Sequence, residues 1–186
     1  GQDVTALMPG YRLPFAGATL PMRPRSYPGA RRLYRYGIHK GVDLYATEVP
    51  SYDFGSGVLA LAGGHVLRAD SDFREMTPGA YEALIAQTEA QHWTSPEAAD
   101  ALLGRQIHIE HANGVQSWYG HLASIGSGIL EGAPVQQGAV VGQVGVSGTS
   151  SGVYGNPDAG HLHFELWIDG RYLGQGLSLY ETMRLW

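Results

Sequence analysis

Eight histidines stand in this chain of 186 residues, and four of them fall in phrases whose spacing can do chemistry. The phrases are Ile38-His39-Lys40-Gly41-Val42-Asp43, Trp118-Tyr119-Gly120-His121-Leu122 and His161-Leu162-His163-Phe164-Glu165. Imidazole and carboxylate are the side chains that bind divalent metals or move protons near neutral pH. There is no cysteine, so disulfides and thiolate sites are excluded and any metal must be held by His, Asp or Glu. His161 and His163 are two residues apart. On a strand they share a face, roughly 6.6 Å apart along the chain, and can both reach one site. Leu162, Phe164 and Leu166 then point into a core, and Glu165 joins the histidine face. His39 and Asp43 would lie roughly 13 Å apart if extended. Donor atoms around one tetrahedral zinc are only about 3.3 Å from each other. The chain must therefore curve if both are to bind one ion, and Gly41 is the expected bend. Spacing does not separate ligand from proton carrier within the HxH pair.

The elements expected to carry these phrases are mostly short strands. Val58–Leu61 and His65–Arg68 flank a Gly63-Gly64 turn, and residues 105–121 alternate around Asn113-Gly114 as a hairpin. Further Gly-punctuated strands are expected at 133–135, 139–146 and 161–168. The fold class that follows is mainly β, an antiparallel sheet or sandwich. Residues 77–103 break the pattern with Ala, Glu, Gln and Leu. Thr77-Pro78 and Ser95-Pro96-Glu97 each pair an N-cap with Pro at the first helical position, and Gly104 is a stop signal. Two inserted helices are expected within about 74–104. Residues 1–30 hold Pro9, Pro14, Pro21, Pro24 and Pro28, which exclude a long helix and suggest an extended arm packed on a single domain of residues 31–186.

Composition is that of a globular chain, 44% hydrophobic and 16% charged. The net charge of −5 argues against general nucleic-acid binding. Charge is unevenly placed: residues 1–40 carry seven basic residues against Asp3 alone. A basic N-terminal part could meet an anionic polymer or a carboxylate-rich substrate. Residues 1–4 have no signal-peptide character, and no apolar run approaches membrane-spanning length.

Taken together and in this order, the three phrases resemble the lysostaphin-like, or LytM-type, zinc endopeptidases. The resemblance spans roughly residues 36–168 and includes Gly37–Leu44, Ile109–Gly114, Gly138–Gly145 and Ser147-Gly148-Thr149. It implies a groove-bearing β domain of the duplicated hybrid motif type. It implies one Zn2+ held by His39, Asp43 and His163, with His121 and His161 as the unligated catalytic histidines. Three ligands would leave one coordination position open, as catalysis needs. Glu165 is a candidate to orient a ligand imidazole. Tyr36, Tyr119 and Tyr154, close in sequence to motif residues, are candidates to line the groove and bind substrate. His108 and His111 are assigned to structure.

The implied activity is hydrolysis of peptide crosslinks of bacterial peptidoglycan, with the D-alanyl crosslink favoured over glycyl-glycine. The implied setting is periplasmic, secreted or wall-associated. Residues 47–56 and 77–103 are longer than the family pattern, which bears on substrate preference. Two other readings compete. Some relatives lack zinc ligands and serve as non-catalytic wall-binding or amidase-activating modules, but all five site residues are present here. A lipoyl-type or phosphocarrier domain shares the Gly-rich phrases, but Lys40 is the only lysine and lies inside the metal motif.

Overall fold

The computed structural model describes residues 9–45 and 53–186. The strands are β1 (Arg31–Arg32), β2 (Gly37–Ile38), β3 (Val42–Tyr45), β4 (Gly57–Leu59), β5 (Gly64–Ala69), β6 (Ile107–His111), β7 (Gln116–Gly120), β8 (Leu122–Ile125), β9 (Pro134–Val135), β10 (Val140–Val144), β11 (His161–Ile168) and β12 (Arg171–Tyr172). The helices are α1 (Pro78–Gln91), α2 (Pro96–Leu103), α3 (Ser150–Val153) and α4 (Leu179–Leu185). Seven strands form one sheet in the order β12-β11-β7-β6-β5-β9, with β3 also on β11. A second sheet has the order β4-β10-β8, and β1 pairs with β2. Every strand pairing among the described residues is antiparallel. The mainly β, antiparallel fold with a short helical insertion expected from the sequence is the fold observed.

Alternation along β11 divides the large sheet into two faces. Leu162, Phe164 and Leu166 enter the core with Val42 and Leu44 of β3 and Ile107, Ile109 and Tyr119 of β6 and β7. Val58, Val141, Val144 and Leu122 bring the smaller sheet into the same continuous cluster. The opposite face of β11 carries His161, His163 and Glu165, all buried. Burial of polar groups on that scale requires partners. The β5 and β4 strands around Gly63-Gly64 belong to different sheets, so that turn passes the chain from one sheet to the other.

The two helices sit where their caps predict. Thr77 accepts from the Ala80 amide at 3.2 Å and Ser95 from the Ala98 amide at 3.1 Å. Gly104 ends α2 at φ 71°, ψ −148°, a conformation suited to glycine. From residue 9 to residue 30 the N-terminal segment lies against the domain. Leu59 N–H donates to the Pro14 carbonyl and Arg12 N–H to that of Leu61, while Phe15 and Tyr27 enter the core. Residues 1–8 and 46–52, which include most of the enlarged 47–56 stretch, lie outside the described residues.

Candidate metal centre and groove

The strand register assembles the site. In the β3–β11 ladder Asp43 is paired directly with His163, and His161 with Tyr45. Directly opposed residues in such a ladder hold their side chains about 5 Å apart. On the other side of β11, His163 is paired with Gly120, which brings the next residue, His121, to the same place. Asp43 and His163 are 120 positions apart in sequence, so only the sheet makes them neighbours. His39 joins them through a bend before β3. At Gly41 the chain runs tight against β11: an added Cβ would collide with the Phe164 carbonyl oxygen and lie 2.8 Å from His163 Nε2. The glycine expected as a bend is thus also required by close approach.

Three donor atoms converge. His39 Nε2 lies 2.8 Å from Asp43 Oδ1 and 2.9 Å from His163 Nδ1, and His163 Nδ1 lies 2.9 Å from Asp43 Oδ1. The outer nitrogens show which atoms hold lone pairs. His39 Nδ1 lies 3.1 Å from the Tyr27 carbonyl, which can only accept, so His39 Nδ1 is protonated and the neutral ring turns the Nε2 lone pair inward. His163 Nε2 donates to Glu165 Oε1 at 2.8 Å, and Trp167 Nε1–H in turn holds Glu165 Oε2 at 2.6 Å. At most one hydrogen, on His163 Nδ1, is left to be shared among three acceptor atoms. A divalent cation resolves that crowding, and a bis-imidazole-carboxylate set with its outer nitrogens anchored suits zinc. Glu165 thus stands against the outer nitrogen of His163.

Electrostatics agree. Burial lowers the His39 pKa to about 4. Burial would lower that of His163 too, but its hydrogen bonds to Asp43 and Glu165 push it up to about 9. The His39 and His163 imidazoles differ because His163 is clasped by two carboxylates, whereas His39 meets one and also feels Arg32. Burial would raise the pKa of Asp43, yet the surrounding histidines hold it well below the usual range. Asp43 Oδ2, the oxygen turned away from the three-atom cluster, receives Arg32 Nη2–H at 2.6 Å.

The other two histidines stand beside the cluster. His161 Nδ1 donates to the Ala159 carbonyl at 3.0 Å and His121 Nδ1 to the Ser147 carbonyl at 2.9 Å. In both neutral rings Nε2 is therefore the basic nitrogen. The rings are 4.7 Å apart, and His161 Nε2 is 4.0 Å from Asp43 Oδ1. Burial and the neighbouring histidines keep His121 well below its ordinary pKa, and burial lowers that of His161. His121 has φ 59°, rare for a residue with a side chain, and its backbone is fixed by donation to the Leu103 carbonyl. Tyr45 stacks on His161 with ring centroids 4.4 Å apart.

A groove of about 1100 Å³ opens over these side chains. Helix α2, parts of the segment between residues 25 and 45, and Trp118 contribute to its lining. The tyrosines differ from expectation. Tyr119 is 0% exposed, and its hydroxyl accepts from Leu61 N–H and meets Ser117 Oγ, so it belongs to the core. Alternation on β7 explains this: Trp118, paired with Glu165, is the residue on the groove face. Tyr36 packs against the His92 ring, and Tyr154 donates to Glu82 Oε1 at 2.9 Å. Neither lines the groove, whereas Tyr34, Tyr45 and Tyr81 do. Nearness in sequence to a motif is a poor guide where the chain turns sharply, as at Tyr36 with φ 50°. His108 and His111 are buried and satisfied by Gln106 Oε1, and by the Gly63 carbonyl and Ser117, away from the cluster. Sequence reasoning also missed Arg32 and the three anchoring carbonyls of Tyr27, Ser147 and Ala159; backbone acceptors leave no trace in residue type.

Several solved structures are similar to this chain. Helicobacter pylori Csd3 is 21% identical over 86% of this chain and 31% of its own, with a TM-score of 0.47. The catalytic domain of the antimicrobial peptidase lysostaphin from Staphylococcus simulans is 18% identical over 90% and 91%, with a TM-score of 0.44. A zinc-containing peptidase from Vibrio cholerae is 20% identical over 88% and 36%, with a TM-score of 0.49. The chain thus spans about a third of the length of the first and third. No curated protein matches the chain. The family model described as peptidase family M23 matches residues 37–174, a span that contains all five clustered histidine and aspartate positions. By that match the chain belongs to peptidase family M23, and in kind it is a metallopeptidase.

Proposed function

We propose that this chain is a zinc-dependent endopeptidase that hydrolyses the peptide crosslinks of bacterial peptidoglycan, with D-alanyl crosslinks favoured over glycyl-glycine bridges. The observation that carries the reading is the inward convergence of His39 Nε2, Asp43 Oδ1 and His163 Nδ1, with two further imidazoles beside them. His39, Asp43 and His163 would hold one zinc ion. Bound there, zinc would supply Lewis acidity, lowering the pKa of water and polarising a scissile carbonyl.

The chain's own residues do the rest. His121 and His161 are neutral at pH 7 because burial disfavours their charged forms, so each offers a basic Nε2. Either ring accepts the proton of the attacking water, and the ring that has become charged returns that proton to the leaving amine nitrogen. The Ser147 and Ala159 carbonyls hold both rings in the productive tautomer. Tyr45, stacked on His161, keeps that ring from rotating out of the groove. Groove walls position an extended peptide and exclude water from the reacting bond. Such a substrate sets the site of action in the periplasm, outside the cell or at the wall.

The test separates ligand from proton carrier. His121→Ala and His161→Ala are expected to retain about one zinc per chain and lose sacculus hydrolysis by a factor of roughly 100 or more. His39→Ala, Asp43→Ala and His163→Ala are expected to lose zinc as well. Full turnover in both His121→Ala and His161→Ala would remove the mechanism.

A further inference from the structure

Exposed apolar side chains gather at one place on this molecule. Leu33, Tyr34, Tyr36 and Ile38 are all exposed, Leu33 by 75%. They fall within the eight residues of the β1–β2 hairpin, whose arms pair Arg31 with Ile38 and Arg32 with Gly37. A single 3-10 turn, Leu33–Arg35, makes its tip. The chain leaving α1 is docked on this hairpin. Thr94 N–H donates to the Tyr36 carbonyl at 3.2 Å, Thr94 Oγ1 donates to that of Arg35, and the Tyr36 and His92 rings meet edge to face at 4.8 Å. Those contacts bring Trp93, 55% exposed, alongside the hairpin. Single exposed apolar residues are ordinary on a folded protein, whereas a contiguous group of them marks a contact surface.

The same surface is basic. No acid stands between Asp3 and Asp43, a stretch with seven of the chain's twelve basic residues, although the whole chain carries −5. In the hairpin Arg31 is exposed and Arg35 half-buried, and the ion pairs among the described residues involve neither. Arg32 Nη1–H donates to the Arg25 carbonyl at 2.9 Å, which sets the Pro24–Ser26 turn, with Arg23 and Arg25 exposed, beside β1. The acids nearest Trp93 in sequence are Glu89 and Glu97, both exposed. Aromatic rings and a leucine among guanidinium groups suit the surface of an anionic bilayer: apolar tips enter the acyl boundary while arginines meet headgroup phosphates. A polyanion of the wall would attract the arginines but gain nothing from Leu33 or Trp93. A second copy of the chain would meet the same positive charge.

We infer that the β1–β2 hairpin and the Trp93 corner form a docking surface for the headgroup–acyl boundary of an anionic lipid bilayer. Tyr34, Arg35 and Ile38 also line the groove, so docking sets the groove mouth beside the membrane face. The inference goes beyond the peptidase reading and stands apart from it, since docking needs neither metal nor turnover.

Co-sedimentation with vesicles tests it, using phosphatidylglycerol and phosphatidylcholine in equal parts against phosphatidylcholine alone. The full chain is expected to bind the anionic vesicles about tenfold or more tightly than the zwitterionic ones, with the difference lost at high salt. Leu33→Ser/Trp93→Ser and Arg31→Gln/Arg35→Gln are each expected to weaken that binding by about tenfold or more. Bromine on the lipid acyl chains is expected to quench part of the tryptophan emission in the parent chain and none of that part in Trp93→Phe. Soluble polyglutamate serves as the polyanion probe. No binding to anionic vesicles, equal binding by the parent and Leu33→Ser/Trp93→Ser, no quenching that depends on Trp93, or polyglutamate binding as tight as vesicle binding would each overturn the surface. Leu33→Ser/Trp93→Ser is expected to match the parent in thermal unfolding and in hydrolysis of lipid-free sacculi. If the parent cleaves no sacculi but binds vesicles in this way, the peptidase reading fails and the docking surface stands. Cleavage without vesicle binding removes the surface and leaves the peptidase reading intact.

Discussion

At the scale of single residues, what decides the site is where each ring nitrogen finds its partner. Glu165 fixes His163 through Nε2 and is itself held by Trp167. Glu165→Gln keeps the shape but removes a charge, so zinc affinity is expected to fall by about tenfold or more, measured by competition with a chelating dye. Tyr119→Phe tests the core assignment. It strips the acceptor from the buried Leu61 N–H and is expected to cost about 1–3 kcal/mol in urea unfolding, with hydrolysis per folded molecule unchanged. A substrate-binding Tyr119 would instead lower turnover at unchanged stability. The five clustered positions were legible because HxxxD, the central His121 and HxH occur together in one order; which of them would bind metal and which would carry protons came from the family resemblance, not from spacing. Tyr119 and Trp118 were exchanged because the sequence offers two adjacent aromatics and only the register of β7 tells which one faces the groove.

At the scale of elements, pairing geometry and close approach do the positioning. Gly41 admits β3 against β11 where a side chain would strike the Phe164 carbonyl. Gly41→Ala should therefore destabilise the protein by roughly 1–3 kcal/mol and also weaken zinc binding, because the strain falls on the His39–Asp43 bend. Unchanged thermal unfolding with zinc present and absent would contradict this. The insertion helices were readable from Thr77-Pro78, Ser95-Pro96 and Gly104, since caps are local chemistry. Their task was not. That α2 walls the groove and that Leu103 anchors the His121 backbone are tertiary facts, carried by contacts across the fold. The division of strands into two sheets was likewise invisible, because a Gly-Gly turn joins strands equally well within one sheet or between two.

At the scale of the molecule, buried neutral histidines tie stability to pH. His108, stacked on Trp118 at 3.8 Å, is lowered to about 4 by burial and by the charge of Arg68. Below its unfolded value near 6.5 the unfolded chain binds the proton that the folded chain refuses. Stability is thus intact above pH 6.5 and falls as pH drops towards 4, by up to about 3 kcal/mol from this group. Urea midpoints at pH 7 and 4.5 should differ less in His108→Phe than in the parent chain, and equal differences would remove the argument. The whole fold serves one arrangement, a sheet whose apolar face is the core and whose polar face carries the histidine and aspartate cluster under a groove. The most direct check is zinc content together with mass analysis of muropeptides released from purified sacculi, for the parent chain and for His121→Ala/His161→Ala. One zinc ion in both proteins and loss of peptide-crosslinked dimers with the parent alone are expected. Zinc-free protein, intact crosslinks with the zinc-loaded parent, or equal release by the double variant would contradict the peptidase reading.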